Sequence, residues 1–195
     1  MLIKLRQVNN RTKKGMCILD LFETISARES CRDFTAQTVE REKLTKCVEA
    51  ARLAPSACNG QPWNFYIVSE SVELVEKVRE CLKEKGMNKF TDKAPAFIVI
   101  TEESTTLTAR VGGAIKKHDY PQTDIGIAAA HIVLAATAQG LGSCILGWFE
   151  EKKLKEELGI KSAKRIRLVI ALGYAEDKPL RTKKRKPAED IFIFK

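Results

Sequence analysis

Apolar residues recur along the chain in two alternating rhythms, and the changes between them mark out the elements. Leu19, Phe22 and Ile25 stand at helical spacing, which predicts a short amphipathic helix over Ile18–Ser26. A stretch without periodicity follows, Ala27–Phe34. Thr38 is then placed to cap a second helix, with Arg41 and Glu42 in its first turn and Leu44, Cys47, Val48, Ala51 and Ala54 as its buried stripe, ended by Pro55. Residues 55–63 carry two prolines and a glycine and read as a loop. Asn64–Ser69 reads as a strand and Val72–Glu84 as a charged helix. Ala96–Thr101 is a continuous apolar run after Pro95, the pattern of a central strand covered on both faces.

Residues 102–123 are weakly patterned, and Gly112-Gly113 predicts a flexible turn or lid there. The strongest helix is expected over Asp124–Gln139, capped by Thr123 or Asp124 and stopped by Gly140. It is apolar almost all round, so it must be buried on most sides, and a subunit interface is an economical way to bury it. A strand is expected over Arg167–Tyr174. Ile191–Phe194 reads as a short terminal strand beyond a basic linker, to be packed on its own domain or on a partner. No repeat or internal linker divides the chain. The expected organisation is a flexible basic arm, residues 1–15, ahead of one domain, residues 16–195.

Composition narrows the class. A chain of 195 residues with 44 % hydrophobic and 30 % charged residues is long enough for a substantial core and is not disordered in character. No apolar run reaches the roughly 18–20 residues of a membrane span, and no secretory leader is evident, so no membrane association and a cytoplasmic location are expected. The six cysteines form no C-x-x-C pair, and His118 and His131 are the only histidines, so reduced thiols and no metal centre are expected. The net charge of +9 concentrates in Lys4–Lys14 and Lys178–Lys186. It lacks the interleaved aromatics of a single-strand binder, and a phosphate-bearing ligand is favoured over nucleic acid.

Two familiar nucleotide signatures fail. No G-x-G-x-x-G opens a βαβ unit, and Gly142–Gly147 is followed by Trp148-Phe149 where a P-loop needs Lys and Ser or Thr. Three other segments carry candidate chemistry. Arg28-x-Ser30-x-Arg32 places two guanidiniums and a hydroxyl at alternate positions, suited to a phosphate, with a solvated loop as the plainer alternative. Pro55-Ser56-Ala57-Cys58-Asn59-Gly60-Gln61-Pro62-Trp63 combines small residues with two amides, or is a simple connection. Gly140-Leu-Gly-Ser-Cys-Ile-Leu-Gly147 could turn backbone N–H groups toward a flat ligand, or pack as a glycine-rich strand.

Taken together and in this order, the segments resemble the nitroreductase family of flavoproteins. The resemblance spans about Ile18 to Phe194 and includes R-x-S-x-R, P-S-x-x-N-x-Q-P-W, a D-I-G-x-A helix, G-L-G-S-C-x-x-G and a closing R-K-P-x-E-x-I. It implies an α+β fold, a mostly antiparallel sheet wrapped by helices, with the C-terminal strand exchanged in a homodimer. It implies FMN as cofactor and NADH or NADPH as co-substrate, serving nitroaromatic, quinone or similar small acceptors by a ping-pong mechanism. A flavin-binding or redox-sensing protein with little turnover is the alternative.

By the same resemblance, Arg28, Glu29 and Ser30 belong to the phosphate and ribityl end, and Arg32 to the N1/O2 edge of the ring. Pro55, Ser56, Ala57, Asn59 and Gln61 would approach from the other subunit. Cys144, Ile145, Leu146 and Gly147 would bring backbone N–H groups to N5 and O4, and Lys183 and Arg185 would reach the phosphate. No side chain is expected to act as an essential acid or base, because the flavin carries the chemistry.

Overall fold

The structure is a computed structural model and describes residues 20–195. The expected basic arm, residues 1–15, and the start of the first expected helix lie outside the described residues. Helix α1, Leu21–Ala27, opens with a capping box: Asp20 Oδ1 accepts the Glu23 N–H at 2.8 Å, and the Glu23 carboxylate accepts the Asp20 N–H at 3.1 Å. Helix α2, Arg41–Arg52, begins at Glu40 rather than at Thr38, without a side-chain cap. Strand β1, Trp63–Val68, is followed by α3, Val72–Leu82, whose cap is Ser71, and by β2, Ala96–Glu102.

Two expectations fail between β2 and the long helix. Gly112-Gly113 does not make a turn: both lie inside a helix, α4, Leu107–Lys116, capped by Thr106 Oγ1. Gly113 is needed there because a Cβ at that position would stand 2.7 Å from the His118 carbonyl oxygen, where the chain folds back. Lys117, at φ 52°, ends the turn, and α5 then runs from Tyr120 to Ala138, four residues earlier than expected. Asp119 is its cap and Pro121 sits in its first turn. Thr123 and Asp124 are therefore inside the helix.

Strand β3, Gly142–Leu146, comes next, then α6, Glu151–Glu157, and β4, Arg165–Gly173. The four strands form one antiparallel sheet in the order β1-β2-β4-β3, so the expected α+β architecture with an antiparallel sheet is what forms. Strand β2 is central, and its alternate residues serve two cores. Ile98 and Ile100 face α2 and α5, meeting Leu44, Ile125 and Ile132, while Phe97 and Val99 face α3 and α6, meeting Val78, Leu82 and Leu154.

Helix α5 buries Ile125, Ala128, Ala129, Ile132, Val133 and Ala136 against the sheet and α2, and leaves Gly126, Ala130 and Ala138 exposed. The terminal Ile191–Phe194 segment forms no strand within this chain. A single 3₁₀ turn at Ala188–Asp190 precedes it, no strand edge of its own chain takes it, and Phe194 is 95 % exposed.

The paired glycines of α4 give a direct check of this correction. Gly112 has open space where a Cβ would go, so Gly112→Ala should raise stability by about 0.5–1 kcal/mol. Gly113→Ala should instead lower it by about 1–3 kcal/mol, because backbone cannot retreat from the added carbon. Urea denaturation of the two variants distinguishes a helix, which gives opposite signs, from a flexible turn, which gives none.

Candidate active site

The segment after α1 is extended and pinned along the free edge of β3. Ser30 bridges Ser143 in parallel, and the Cys31 N–H donates to the Ser143 carbonyl at 2.9 Å. Farther on, Phe34 bridges Ala175, and the Thr35 N–H donates to the Tyr174 carbonyl at 2.8 Å. Cys31 and Phe34 are thereby buried as anchors, while Arg28, Ser30 and Arg32 line a recess of about 260 Å³. Glu29 lines the same recess and Phe34, in step with Arg28, Ser30 and Arg32, is buried, so the expected two-residue alternation is only partly kept.

The C-terminal arm, residues 176–186, supplies the other wall. Lys178 pairs with Asp33, which holds the Asp33 carboxyl below its usual pKa. Arg181 donates from its backbone N–H and from Nε to Glu29 Oε2, both at 3.2 Å, and from Nη2 to the Ser30 carbonyl. Lys183 then enters the recess beside the end of α1, where its ammonium donates to the Ile25 carbonyl at 3.4 Å and to that of Ser26. Lys184 and Arg185 complete the lining. Desolvation, followed by the neighbouring Arg28 and Arg185 guanidiniums, holds the Lys183 pKa below the ordinary lysine value.

A second cavity of about 490 Å³ adjoins the recess and shares Glu29, Arg32 and Arg181 with it. Its remaining walls are largely apolar, among them Ala27, Leu141, Gly142 and Leu180. Gly142 lets the Cys31 side chain close over β3: a Cβ there would lie 2.8 Å from the Cys31 sulfur. Arg32 lies over the Phe90 ring, 5.8 Å from its centroid.

The end of β3 continues from the same bridge. Ile145 and Gly147 are exposed, and nothing lies within 4 Å of a Cβ built on Gly147. Cys144 and Leu146 point the other way. Cys144 is 3 % exposed, burial pushes its thiol pKa up, and only its backbone can serve a ligand. Since β3 is an outer strand of the sheet, its backbone beyond Ser143 is not covered by another strand among the described residues.

Pro55, Ser56, Ala57, Asn59 and Gln61 line neither cavity of their own chain. They form a tight loop containing a 3₁₀ turn, Ala57–Asn59, with Cys58, Asn59 and Gln61 all at positive φ. Left-handed backbone at non-glycine residues costs of order 1–3 kcal/mol each and persists only where the surroundings enforce it. Here Ser56 Oγ accepts the Gln61 N–H at 3.0 Å, and the Gln61 amide donates to Asn59 Oδ1 at 3.1 Å. Gly60 fits closely against Thr105, whose Oγ1 a Cβ would approach to 2.4 Å.

Two contributors were not legible as such. Arg181 was one of many cations in a basic run, and nothing in its spacing marked it as the partner of Glu29. Asp124, one of the two residues expected to cap α5, is 4 % exposed inside the helix, and both its oxygens accept the Ala57 N–H, at 3.2 and 3.1 Å. The D-I-G-x-A motif is the signal that contained it.

Asp124→Ala should cost about 1–3 kcal/mol by leaving the Ala57 N–H without its acceptor, and should expose the 55–61 loop to proteolysis. Asp124→Asn, which keeps one acceptor oxygen, should be milder. Chemical denaturation together with limited proteolysis reads both effects.

Among the described residues there is no cluster of His, Cys, Asp and Glu able to hold a metal ion, and no helix is long and apolar enough to cross a membrane. The sequence profile described as the nitroreductase family matches residues 25–87 and 79–174. A protein of Archaeoglobus fulgidus, provisionally named an NADH dehydrogenase/NAD(P)H nitroreductase, is 32 % identical over 164 residues, which are 81 % of this chain and 87 % of that one. An FMN-dependent nitroreductase structure from Clostridium difficile R20291 is 29 % identical with a TM-score of 0.67, covering 88 % of this chain and 94 % of its own. A nitroreductase family protein structure from Streptococcus pneumoniae TIGR4 is 28 % identical with a TM-score of 0.72, covering 90 % and 100 %. On this match of profile, sequence and fold, the chain belongs to the nitroreductase family.

Proposed function

We propose that the protein is an FMN-dependent oxidoreductase that acts as a homodimer, drawing reducing equivalents from NADH or NADPH for nitroaromatic, quinone or similar small acceptors. The observation that carries this reading is the convergence of Arg28, Ser30 and Arg32 with Lys183 and Arg185 at one recess. These residues come from opposite ends of the chain. Crowded cations disfavour one another, and the Arg28 and Arg185 guanidiniums add to the desolvation that chiefly lowers the Lys183 pKa. A phosphate dianion offsets that repulsion. Guanidiniums, an ammonium and a serine hydroxyl are the donor set that a phosphate monoester requires.

In this reading Arg28, Ser30, Lys183 and Arg185 hold the FMN phosphate. Arg32, on the same side of the extended segment, is the cation for the N1/O2 edge, where a reduced ring accumulates negative charge. The backbone of Ile145, Leu146 and Gly147 offers N–H donors at the exposed end of β3, with open space beside Gly147 for a flat group. FMN held there would supply the redox chemistry, linking the nicotinamide to the acceptor through two separate half-reactions. The protein's own work is to hold, orient and bias the potential of that group, and no titrating side chain is assigned a proton transfer.

The homodimer accounts for three features. The 55–61 loop is rigidly built yet lies away from the recess of its own chain, as a loop serving the partner would. The exposed face of α5 carries Gly126, Ala130 and Ala138, small enough for close helix approach. The apolar Ile191–Phe194 tail, exposed in one chain, becomes an exchanged strand on the other.

The purified protein should be yellow and bleach on adding NADH or NADPH under anaerobic conditions, with turnover on a quinone. Nicotinamide oxidation that never depends on an acceptor would favour a flavin-binding, redox-sensing role instead. Arg28→Ala should weaken FMN retention about tenfold to a hundredfold, the loss of one charged hydrogen-bonding partner, whereas Lys117→Ala should leave it unchanged. Equal retention by the two variants contradicts the assignment.

FMN affinity should also depend on pH on both sides of neutrality. It should fall below about pH 6 as the phosphate dianion takes up a proton and becomes a monoanion. On the alkaline side it should fall as Lys183 loses its proton. Because the free Lys183 pKa is lowered, that loss should begin below the ordinary lysine range, and FMN binding should be accompanied by proton uptake. An affinity flat from neutral to alkaline pH excludes Lys183 from the phosphate site.

A further inference from the structure

Glu29 is the one carboxylate among the residues lining the 260 Å³ recess, and it stands between Arg28 and Ser30, the two residues proposed above to hold the phosphate. An anionic side chain there is opposed to an anionic ligand. Like charges at such range disfavour each other, more strongly where solvent is partly excluded, and the Glu29 side chain is only 26 % exposed. Yet the carboxylate does not stand unpaired in the recess. Arg181 holds it through both the backbone N–H and Nε, while Nη2 of the same guanidinium fixes the Ser30 carbonyl.

We infer that Arg181 is a positioning residue of the FMN site: it neutralises Glu29 and so makes the recess receptive to a phosphate dianion. This rests on the flavin reading above and adds a residue that does not itself need to touch the ligand. The pairing also explains why the arm carries a surplus of cations. Lys178 and Arg181 are committed to Asp33 and Glu29, which leaves Lys183 and Arg185 for the ligand. The same geometry makes the arm and the Arg28–Arg32 segment a single unit, since one guanidinium joins them at two consecutive residues.

The test is a double-mutant cycle read by quenching of flavin fluorescence on titration of the flavin-stripped, full-length protein. Arg181→Ala should weaken FMN binding by about tenfold or more, because Glu29 then faces the phosphate unopposed. Glu29→Gln alone should bind FMN at least as tightly as the unaltered protein. The combined Glu29→Gln, Arg181→Ala protein should recover to within about threefold of it. Riboflavin, which has the ring and ribityl chain without the phosphate, should bind all four proteins alike.

A double variant no better than Arg181→Ala, a Glu29→Gln variant as weak as Arg181→Ala, or a parallel loss of riboflavin each overturns the inference. Any of these would make Arg181 a structural clamp alone. Failure of the unaltered protein to bind FMN overturns the flavin reading and this inference with it.

Discussion

The gathering of cations at one recess is the constraint on which the site depends. Arg28, Arg32, Lys183 and Arg185 are brought together by elements that are far apart in sequence, and the Lys183 pKa is lowered by desolvation first and by the neighbouring Arg28 and Arg185 guanidiniums after it. Such an arrangement holds only because backbone anchors impose it. The bridge from Ser30 to Ser143 fixes one wall, the buried Phe34 and Cys31 lock its register, and the Arg181–Glu29 pair fastens the other wall to it. In the proposed reading an anionic ligand offsets the like charges of this recess, which would couple ligand binding to order in the C-terminal arm.

The sheet serves this purpose through its edge. Strands β2 and β4 lie inside the sheet between the two cores, and β3 is an outer strand whose free side receives the Arg28–Phe34 segment and then continues without a strand partner among the described residues to Gly147. An open edge is ordinarily a liability. Here its first part is paired by an extended segment, and the remainder is the backbone that the proposed function assigns to the flavin ring.

The sequence revealed most where one physical demand dominated. The unbroken apolar run of β2 announced a strand covered on both faces, because its alternate residues feed two cores. Arg28, Ser30 and Arg32 were expected to share one side because an extended backbone repeats every two residues, and all three line the recess, with Glu29 beside them. Failures came where demands competed. Helix α6 carries a single buried apolar position, Leu154, too little for periodicity to show. In α4 two adjacent glycines suggested a turn, whereas Gly113 answers a close approach of the His118 carbonyl and Gly112 answers none. Asp124 looked like a cap since acids commonly cap helices, and only the fold shows it buried beneath the 55–61 loop. Arg181 could not be singled out from its basic neighbours, as its role depends on a contact with Glu29 across the length of the chain. The terminal Ile191–Phe194 segment has the pattern of a strand without an edge of its own chain to complete it.

The central claim is that each recess seats the phosphate of a flavin whose ring is shared between two copies of the chain. A crystal structure of the protein grown with FMN tests it most directly. The account predicts density for the phosphate between Arg28, Lys183 and Arg185, the ring along the Ile145–Gly147 backbone, and the Pro55–Gln61 loop of the partner subunit closing over it. A flavin bound elsewhere, or a pocket completed by a single chain, contradicts it.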